Sequence, residues 1–537
     1  MNQEIQAILN GQLFNMRGKG IENQQYDNLG KGVNTFTRDT MINDTEAAEA
    51  VNVWSVGKNS IAKRPGVGLA ITLPTSAAVT GLGTYYSGSI RKLLATSGTS
   101  VYDIDPILGT ATALTAAVAS AAVWTAGLRM DMCQAGGFVF FQNGTDELRK
   151  YSGSTVTNQT NGVIGKWLIF YKSSLWTAGN TGAGNLARLY RSGTDANLGD
   201  FTNSTANPFA TSVYVSKDDG QMLNGFFKHQ DFLYPVKERS LWRASQDTST
   251  AATITLELVD PARGCDSHFS IDTVENDNFM FNEKGVYATG YEPNILDQIR
   301  TNILSLRIDT KINSIEKANL NDVVGLYHDN HYYLSYASGG ASANDTIMVY
   351  DRQRLGWWEW DLGANCFSEY KDSTGETKLY FGSALPDGKI YYFDDTLKAD
   401  NGLSFSTNWK SPKFSFKNYA QSKYFLNVLL YCAKTAGTIT YSVYVDGTLT
   451  KTATVAIGNT GVAGMGLESI GVPILGVEGG SLQISDSGGG DIVKIPINKT
   501  GRNIQIQIED NTSTQSWELN SIEIQFKKLS PLFQPGV

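Results

Sequence analysis

The chain has 537 residues, with 52 acidic and 44 basic side chains and a formal net charge of −8. This balance argues against tight binding of DNA over the whole surface, because neutralising phosphates needs a local excess of Lys and Arg. The 54 Gly, 25 Tyr and 23 Phe residues, with only 18% charged residues, favour an all-β protein built from strands and tight turns.

Residues 1–66 are polar and rich in Asn and Gly, and we interpret them as a short N-terminal arm that docks on another surface. Asn43 is a candidate N-cap before the Ala-rich segment 44–50, so the pattern predicts one short helix over 43–50. The strand-like segment 51–54 and the Lys-Arg-Pro-Gly turn at 63–66 follow.

Residues 67–400 contain pairs of strand-like segments separated by short turns rich in Gly, Asn, Asp and Ser. Such residues supply the positive φ angles that tight hairpins need. Recurrence of one unit at a spacing of roughly 30 to 60 residues predicts a β-propeller of about six or seven blades, some of them irregular. The predicted pairs are 91–96 with 99–103, 138–142 with 148–151, 167–171 with 175–176, 278–281 with 286–287, 331–336 with 346–350 and 357–360, and 378–381 with 389–393.

One segment in this region has helical periodicity. Pro293 suits a first helical position, and the apolar residues after it share one helical face. We expect this helix to pack against the sheet, since its polar face carries Asp297, Gln298, Arg300 and Asn302 and is not the predominantly basic face of a membrane-surface helix. The apolar residues are Ile295, Leu296, Ile299, Ile303 and Leu304.

Residues 401–537 show period-two alternation, which is typical of strands with one buried face. The runs 424–431, 438–445, 504–508 and 522–526 predict a separate C-terminal β-sandwich. Between them, the Gly-rich stretch near 455–487 is predicted to be a long exposed loop or insertion.

The four cysteines lie far apart in the chain, without a Cys-x-x-Cys pair, so neither a zinc site nor a dense disulfide framework is indicated. We expect buried free thiols at Cys133, Cys265, Cys366 and Cys432. Residues 1–10 lack the features of a secretory signal, and the weakly polar stretch 111–123 is too short to span a bilayer. The chain is therefore expected to be soluble and made in the cytoplasm, without membrane insertion.

His328 and His331 are expected at a turn that enters a strand, on opposite faces, which favours solvated turn residues over a metal site. The sequence has no phosphate-binding loop, nucleophile elbow or zinc-binding His-Glu-x-x-His helix. We assign no catalytic, cofactor-binding or metal residue, and expect a protein that is not an enzyme.

The segment from Ser216 to Leu223 resembles the Asp-box of sialidase-type propellers, with Leu223 in place of the Trp. That motif is a structural hairpin away from the active site. A sialidase would also need an arginine cluster and a Tyr nucleophile with an acidic partner, which the sequence does not reveal.

The richest aromatic cluster lies within 349–361. In a strand, Trp357 and Trp358 would point to opposite faces, so one can fill the core while the other lies at an interface or binds a sugar. Core and inter-blade packing is the favoured interpretation of this cluster.

Several segments, in their order along the chain, resemble the tail nozzle or packaged-DNA stabilisation (tail hub) β-propeller proteins of short-tailed bacteriophages. Each segment consists of turn formers and core aromatics, so it is their order that carries the resemblance. The first set is Gly32 to Asn34, Glu46-Ala47, Asn52-Val53 and Lys63 to Gly66; the middle set is Asp219 to Gly225, Phe232 to Trp242, Gly264-Cys265 and Asn282 to Tyr287; the late set is Val349 to Arg352 with Trp357 to Trp360.

The resemblance implies a virion structural protein of the tail or neck, assembled in the host cytoplasm. It implies one subunit of a ring, commonly a homo-hexamer, that contacts portal-adaptor proteins and tail fibres or spikes. Such a ring extends the portal channel, retains packaged DNA and conducts it during ejection without binding it specifically. A net acidic chain suits a conduit that should not grip phosphate.

Two alternatives remain open at this stage. One is a receptor- or carbohydrate-binding propeller of a tail, in which exposed Trp and Tyr rings stack on sugars. The other, a sialidase-like hydrolase, is less favoured because its catalytic constellation is missing from the sequence.

Overall fold

The structure is a computed structural model, and it describes residues 6–9, 12–15, 20–116, 122–182, 184–246, 253–291, 299–372, 374–433, 437–457, 482–485, 490–512 and 515–531. The chain forms two compact units. The first unit contains Met1–Gly66, Tyr350–Trp360 and Asp395–Val537; the second contains Val67–Val349 and Asp361–Asp394. Residues 1–66 are thus part of a larger unit and not a separate arm. Residues 350–360, which the sequence places in the propeller, belong to the first unit.

Strands dominate both units. Before residue 66 the strands are β1 (Gln6–Leu9), β2 (Gln12–Asn15), β3 (Glu22–Tyr26), β4 (Glu49–Val51), β5 (Val53–Val56) and β6 (Ser60–Lys63). The predicted helix over 43–50 is wrong, because these residues form a turn followed by β4. Tertiary partners take the backbone groups that a helix would use: Ala47 N–H donates to Gly32 O, and Ala48 N–H donates to Lys410 O.

The next strands build successive antiparallel sheets. They are β7 (Gly66–Thr72), β8 (Val79–Ser87), β9 (Ile90–Ser97), β10 (Ser100–Asp105), β11 (Thr110–Ala113), β12 (Thr115–Ala116), β13 (Asp131–Ala135), β14 (Phe138–Gln142), β15 (Arg149–Tyr151), β16 (Thr155–Asn158), β17 (Trp167–Tyr171), β18 (Ser174–Ala178), β19 (Arg188–Thr194), β20 (Thr211–Tyr214), β21 (Leu223–His229), β22 (Phe232–Lys237), β23 (Leu241–Gln246) and β24 (Ile254–Asp260). They continue with β25 (Asp272–Val274), β26 (Asp277–Asn282), β27 (Gly285–Tyr291), β28 (Ile299–Ile303), β29 (Val324–His328), β30 (His331–Tyr336) and β31 (Thr346–Asp351).

The remaining strands are β32 (Gly356–Trp360), β33 (Cys366–Lys371), β34 (Thr377–Gly382), β35 (Lys389–Asp394), β36 (Thr407–Lys410), β37 (Lys423–Ala433), β38 (Gly437–Val445), β39 (Thr448–Ile457), β40 (Leu482–Ser485), β41 (Gly490–Gly501), β42 (Ile504–Asp510), β43 (Glu518–Lys528) and β44 (Ser530–Pro531). Helices are short: α1 (Asp309–Ile312) and the 3-10 turns Asp195–Asn197, Lys217–Asp219, His268–Ser270, Leu306–Ile308 and Lys317–Asp322. None of the helices in the described ranges has the length and apolar character of a membrane span.

The predicted helix that starts at Pro293 is wrong in its described part. Ile299–Ile303 is strand β28, paired antiparallel with β27, with Ile303 opposite Tyr287. Pro293, Ile295 and Leu296 lie outside the described residues. The five apolar residues of this pattern are too few to distinguish helical from extended periodicity. Residues 299–303 form a strand because they pair with β27.

The second unit is a β-propeller. Its sheets have the strand orders β8 to β11, β13 to β16 with β12 on β16, β17 to β20, β21 to β24, β25 to β28, β29 to β31, and β33-β34-β35-β7. In most cases, first strands of neighbouring sheets lie against one another: β8 against β13, β13 against β17, β17 against β21, β25 against β29, and β29 against β33. Between β21 and the fifth sheet the contact is made by β26, and β33 lies against β8, which closes the circle.

The last propeller sheet joins the two ends of this segment of the chain. Strand β7, at the start of this segment of the chain, pairs with β35, at the end of the segment. Closure of this kind removes the two open faces that an unclosed series of sheets would leave.

The propeller core lies between neighbouring sheets. Tyr85 and Leu94 of one sheet pack with Val139, Phe141 and Tyr151 of the next. Comparable clusters lie between the following sheets and between the last sheet and the first. Strands β18, β22, β26 and β30 are buried almost continuously along their length, because each of their sheets is covered on both faces, once by each neighbour.

The first strand of each sheet has one edge without a strand partner, and neighbouring sheets supply side chains to that edge. Asp131 Oδ2 accepts the N–H of Leu168 at 2.6 Å, and Gln134 Oε1 accepts the N–H of Tyr86 at 2.9 Å. These bonds satisfy buried backbone donors and link one sheet to the next.

The first unit contains two large sheets, with orders β32-β4-β36-β42-β38-β39 and β40-β41-β37-β43-β6-β5, and β3 also pairs with β43. The predicted C-terminal strands are present as β37, β38, β42 and β43. Of the predicted Gly-rich loop, residues 455–457 end β39 and 482–485 form β40, while 458–481 and 486–489 lie outside the described residues.

Candidate functional site

The Asp-box-like segment forms a fixed joint before strand β21. Gly220 ends a 3-10 turn with φ +71°, and the ammonium of Lys237 lies 2.6 and 2.8 Å from the two carboxylate oxygens of Asp219. The same ammonium donates to the carbonyl of Ser216 at 2.8 Å. Burial acts to raise the pKa of Asp219, but the hydrogen bonds from Lys237 and from the N–H of Gln221 outweigh it and hold the pKa below its ordinary value.

The other segments of the middle set meet at the same joint. The N–H of Cys265 donates to the carbonyl of Lys237 at 2.9 Å, and a Cβ atom at Gly264 would overlap that carbonyl. The Asn224 side chain donates to Cys265 O, and the Asn282 side chain donates to Gly264 O, both at 3.1 Å. Segments spread over some seventy residues thus meet at one place, because each forms hydrogen bonds with the backbone of another.

This joint offers no nucleophile. The Cys265 thiol is fully buried, and burial raises its pKa to about 12. A thiol in this state stays protonated at neutral pH, and the thiolate is the reactive form. The arrangement therefore fixes shape.

The first and late sets converge in the same way in the first unit. The N–H of Val33 donates to Trp357 O at 2.8 Å, and the N–H of Asn52 donates to Glu359 O at 2.8 Å. Buried Glu46 accepts the Asn34 amide at 2.7 Å.

Arg64 is the centre of this second joint. Its guanidinium binds both carboxylate oxygens of Asp400, at 2.9 and 2.5 Å, and donates to the Asn52 side chain at 2.9 Å. The ring of Phe405 lies 3.8 Å below it. Fork-shaped pairing and stacking of this kind need Arg and cannot be supplied by Lys.

The aromatic cluster is entirely buried. Trp357, Trp358 and Trp360 are each at most 1% exposed, which confirms the expected core packing of this cluster and disfavours the alternative in which one ring binds a sugar. Of the ten Trp residues, all within the described ranges, eight are buried and two, Trp54 and Trp242, are half-buried. Their main role is to fill space between sheets.

The expected geometry of the two histidines is also wrong. His328 and His331 are directly paired across the β29–β30 hairpin, whose two turn residues Asp329 and Asn330 have positive φ. Residues paired across a strand ladder lie on the same face. Even so, no group of three or more His, Cys, Asp or Glu in the described residues could hold a metal ion; His328 Nδ1 lies instead 3.2 Å from Glu369 Oε1.

All four cysteines are free thiols. Cys265 and Cys432 are buried, as expected, whereas Cys133 and Cys366 retain partial exposure. Burial nevertheless raises the pKa of the Cys133 and Cys366 thiols to about 12.

A cavity of about 200 Å³ lies among the first strands of the propeller sheets. Arg129 spans one wall, donating to Asn365 O at 2.9 Å and to Asp322 O at 2.7 Å. On another wall, His268 Nε2 lies 3.5 Å from Asp131 Oδ2. Sequence analysis missed these residues because they precede or leave strands and belong to no spaced motif.

Several polar groups of the cavity contact other protein groups, whereas the buried Nδ1 of His268 has no hydrogen-bond partner among the described residues. Asp131 accepts the Leu168 N–H, His268 Nε2 lies 3.5 Å from Asp131 Oδ2, and the Arg129 guanidinium is held by Asp322 and Asn365. The His268 ring is wedged against Trp167 and Phe226, with centroids 5.6 and 5.4 Å away. The geometry is that of links between sheets around a small polar space.

Comparison with known proteins finds distant similarity to solved structures. No family model and no curated protein matches the chain. Solved structures similar to it include YCF48 bound to D1 peptide (12% identity, 62% of this chain and 97% of that one, TM-score 0.37). Two others are the β-propeller domain of Cps50 (Swd1) from Myceliophteria thermophila (10%, 61% and 99%, TM-score 0.39) and U3-55K (8%, 61% and 99%, TM-score 0.39). With TM-scores below 0.5, this likeness extends to neither activity nor partners.

Proposed function

We propose that the chain is a virion structural protein of a short-tailed phage, one subunit of a ring-shaped tail nozzle or hub that retains packaged DNA and conducts it during ejection. The proposal rests on where the structure places the segments that resemble tail nozzle proteins. Their polar residues link to one another in two buried joints, one around Lys237 and one around Arg64. A structural subunit needs such shape-fixing joints, whereas an enzyme would need some of these groups at an accessible site.

The finer architecture belongs to this proposal. Each of the seven propeller sheets is taken as one blade, and the two large sheets of the first unit as a sandwich. The ring is a homo-hexamer that meets portal-adaptor proteins and tail fibres or spikes, and the chain resides in the tail or neck of the virion. The net charge of −8 supports a lumen through which DNA slides without specific binding.

Electron microscopy and light scattering of the purified full-length chain test this proposal. The expected result is a ring of six copies around a pore wide enough for duplex DNA. A chain that remains monomeric at every concentration tested would contradict the proposal. So would a pore lined by Lys and Arg with salt-sensitive retention of DNA, because a conduit of that kind would hold its cargo.

A receptor- or carbohydrate-binding propeller is the second candidate, and one observation favours it. Tyr214 is 37% exposed, and the guanidinium of Arg188 lies 5.2 Å from its ring, with Lys217 Nζ 5.0 Å away on the same ring. An aromatic face edged by polar groups can stack on a sugar. Selective binding on a glycan array, lost in Tyr214→Ala and kept in the exposed control Phe36→Ala, would favour this candidate over the conduit.

A further inference from the structure

The ion pair between Lys63 and Asp510 is unusual among the ion pairs of the described residues. Its two side chains are 0% and 2% exposed, and Lys63 Nζ lies 3.1 Å from Asp510 Oδ2. Lys63 ends β6 and Asp510 ends β42, which belong to the two different large sheets of the first unit. The contact therefore connects sheets whose residues stand 447 positions apart in the chain.

We propose that Lys63 and Asp510 condense without an added enzyme into an isopeptide bond between Nζ and Cγ. Such a bond would be a covalent modification of the first unit, and it does not depend on the function proposed above. The observed ion pair is the reactant state of this reaction.

The surroundings favour an uncharged amine. The Lys63 side chain is 0% exposed. Burial lowers the pKa of Lys63, and the charge of Arg64 acts in the same direction, although Asp510 opposes the shift. Keeping two full charges out of water is costly, and formation of a neutral amide removes that cost. The uncharged amine is the nucleophile.

The carboxyl group of Asp510 is positioned to react as an electrophile. Oδ1 of Asp510, the oxygen that does not face Lys63, accepts the Thr512 N–H at 3.0 Å and the Thr512 hydroxyl at 2.8 Å. Two fixed donors on one oxygen stabilise the negative charge that develops there when Nζ adds to Cγ, as an oxyanion hole does. The Thr512 carbonyl accepts a hydrogen bond from Nζ and so orients the amine.

The atoms balance without a further reagent. Nζ of the ion pair carries three protons; two pass to Oδ2 as the Nζ–Cγ bond forms, and Oδ2 leaves as water. The third proton stays on the amide nitrogen, where the Thr512 carbonyl can accept it. Nothing is oxidised or reduced, and the fixed contact replaces an encounter between separate reactants.

A second buried lysine provides a matched control. Lys237 also contacts a carboxylate, but the Asp219 side chain is 26% exposed and both of its oxygens face the ammonium. Water reaches the Asp219 carboxyl group, whose pKa is lowered by its hydrogen bonds, and we expect no bond there.

The test is the intact mass of the purified full-length protein together with tryptic mapping. The expected mass is lower than the sequence mass by one water molecule, with a branched peptide joining residues 63 and 510 and no cleavage after Lys63. A wild-type mass equal to the sequence mass, with a linear Lys63 peptide, would overturn the proposal.

Variants identify the residues. Asp510→Ala should restore the full sequence mass, whereas Asp510→Asn should lose ammonia in place of water, which distinguishes this reaction from unrelated dehydration. Lys237→Arg should keep the 63–510 link. A water loss that persists in Asp510→Ala would overturn the assignment, and the wild-type peptide map decides the matter if that variant does not fold.

Discussion

Asp272 accepts a hydrogen bond from the backbone N–H of Tyr327 at 2.7 Å, from the first strand of one propeller sheet to the first strand of the next. Burial raises the pKa of Asp272 to about 6, although the N–H groups of Tyr327 and Thr273 oppose the shift. A link between sheets is thus made by a carboxyl group that titrates in the mildly acidic range.

This link gives the propeller a pH dependence of known sign. The folded pKa lies above the unfolded value, so the native state holds more protons between about pH 4 and 6, and stability falls by about 3 kcal/mol as pH rises through that window. Asp272→Asn keeps an oxygen for the Tyr327 N–H and should remove this loss. Urea denaturation should show a higher free energy of unfolding for the variant than for the wild type at pH 7.5 but not at pH 4. The exposed Asp218→Asn is the control. An equal increase at both pH values would contradict the expectation.

The Lys237–Asp219 pair is expected to matter for stability. Lys237→Met should lower the free energy of unfolding by about 1–3 kcal/mol, since it leaves Asp219 and the Ser216 carbonyl without their donor. Lys284→Met is the control, because its ammonium is 72% exposed and should contribute less than about 0.5 kcal/mol. Denaturant titration with circular dichroism measures the free energy of unfolding of both variants. Equal losses in the two variants would contradict the expected contribution of the Lys237–Asp219 pair.

Close backbone approach makes Gly264 irreplaceable. Gly264→Ala should destabilise the protein by about 1–3 kcal/mol, because the added methyl group meets the Lys237 carbonyl, which cannot rotate away. Gly20→Ala, where a Cβ meets nothing within 4 Å, should leave the melting temperature nearly unchanged. A Gly264→Ala variant with wild-type melting would mean that the two segments separate freely.

Arg64→Lys should cost about 2 kcal/mol despite keeping the positive charge. Lysine cannot bind both oxygens of Asp400 and the Asn52 side chain in one plane while stacking on Phe405. Arg243→Lys is the control, since its partner Glu257 is 62% exposed. Thermal unfolding should separate the two variants clearly, and similar shifts would contradict the role of the planar fork.

The sequence predicted best where local chemistry decides structure. Hairpins such as β9–β10 and β14–β15 were predicted correctly, because Gly98 and Gly144 supply the positive φ their turns need. The strands around Tyr424 to Tyr431 and Ile504 to Ile508 followed from alternation.

The wrong predictions share a cause in partners distant along the chain. Residues 43–50 have the composition of a helix, but Lys410 and Gly32 take their backbone bonds. His328 and His331 were placed on opposite faces because the two-residue turn between them was not recognised. Membership of 1–66 in the first unit, and the cavity around Arg129, depend on pairings that no local pattern encodes.

The pairing of β7 with β35 also dictates an order of events during synthesis. Strand β7 emerges from the ribosome early and must wait, unpaired, until residues 389–394 have been made. The first unit waits longer still, because Lys63 and Arg64 find Asp510 and Asp400 only in the last third of the chain. Contacts of such long range slow folding, so truncated products that end before residue 394 would leave both units open and prone to aggregate.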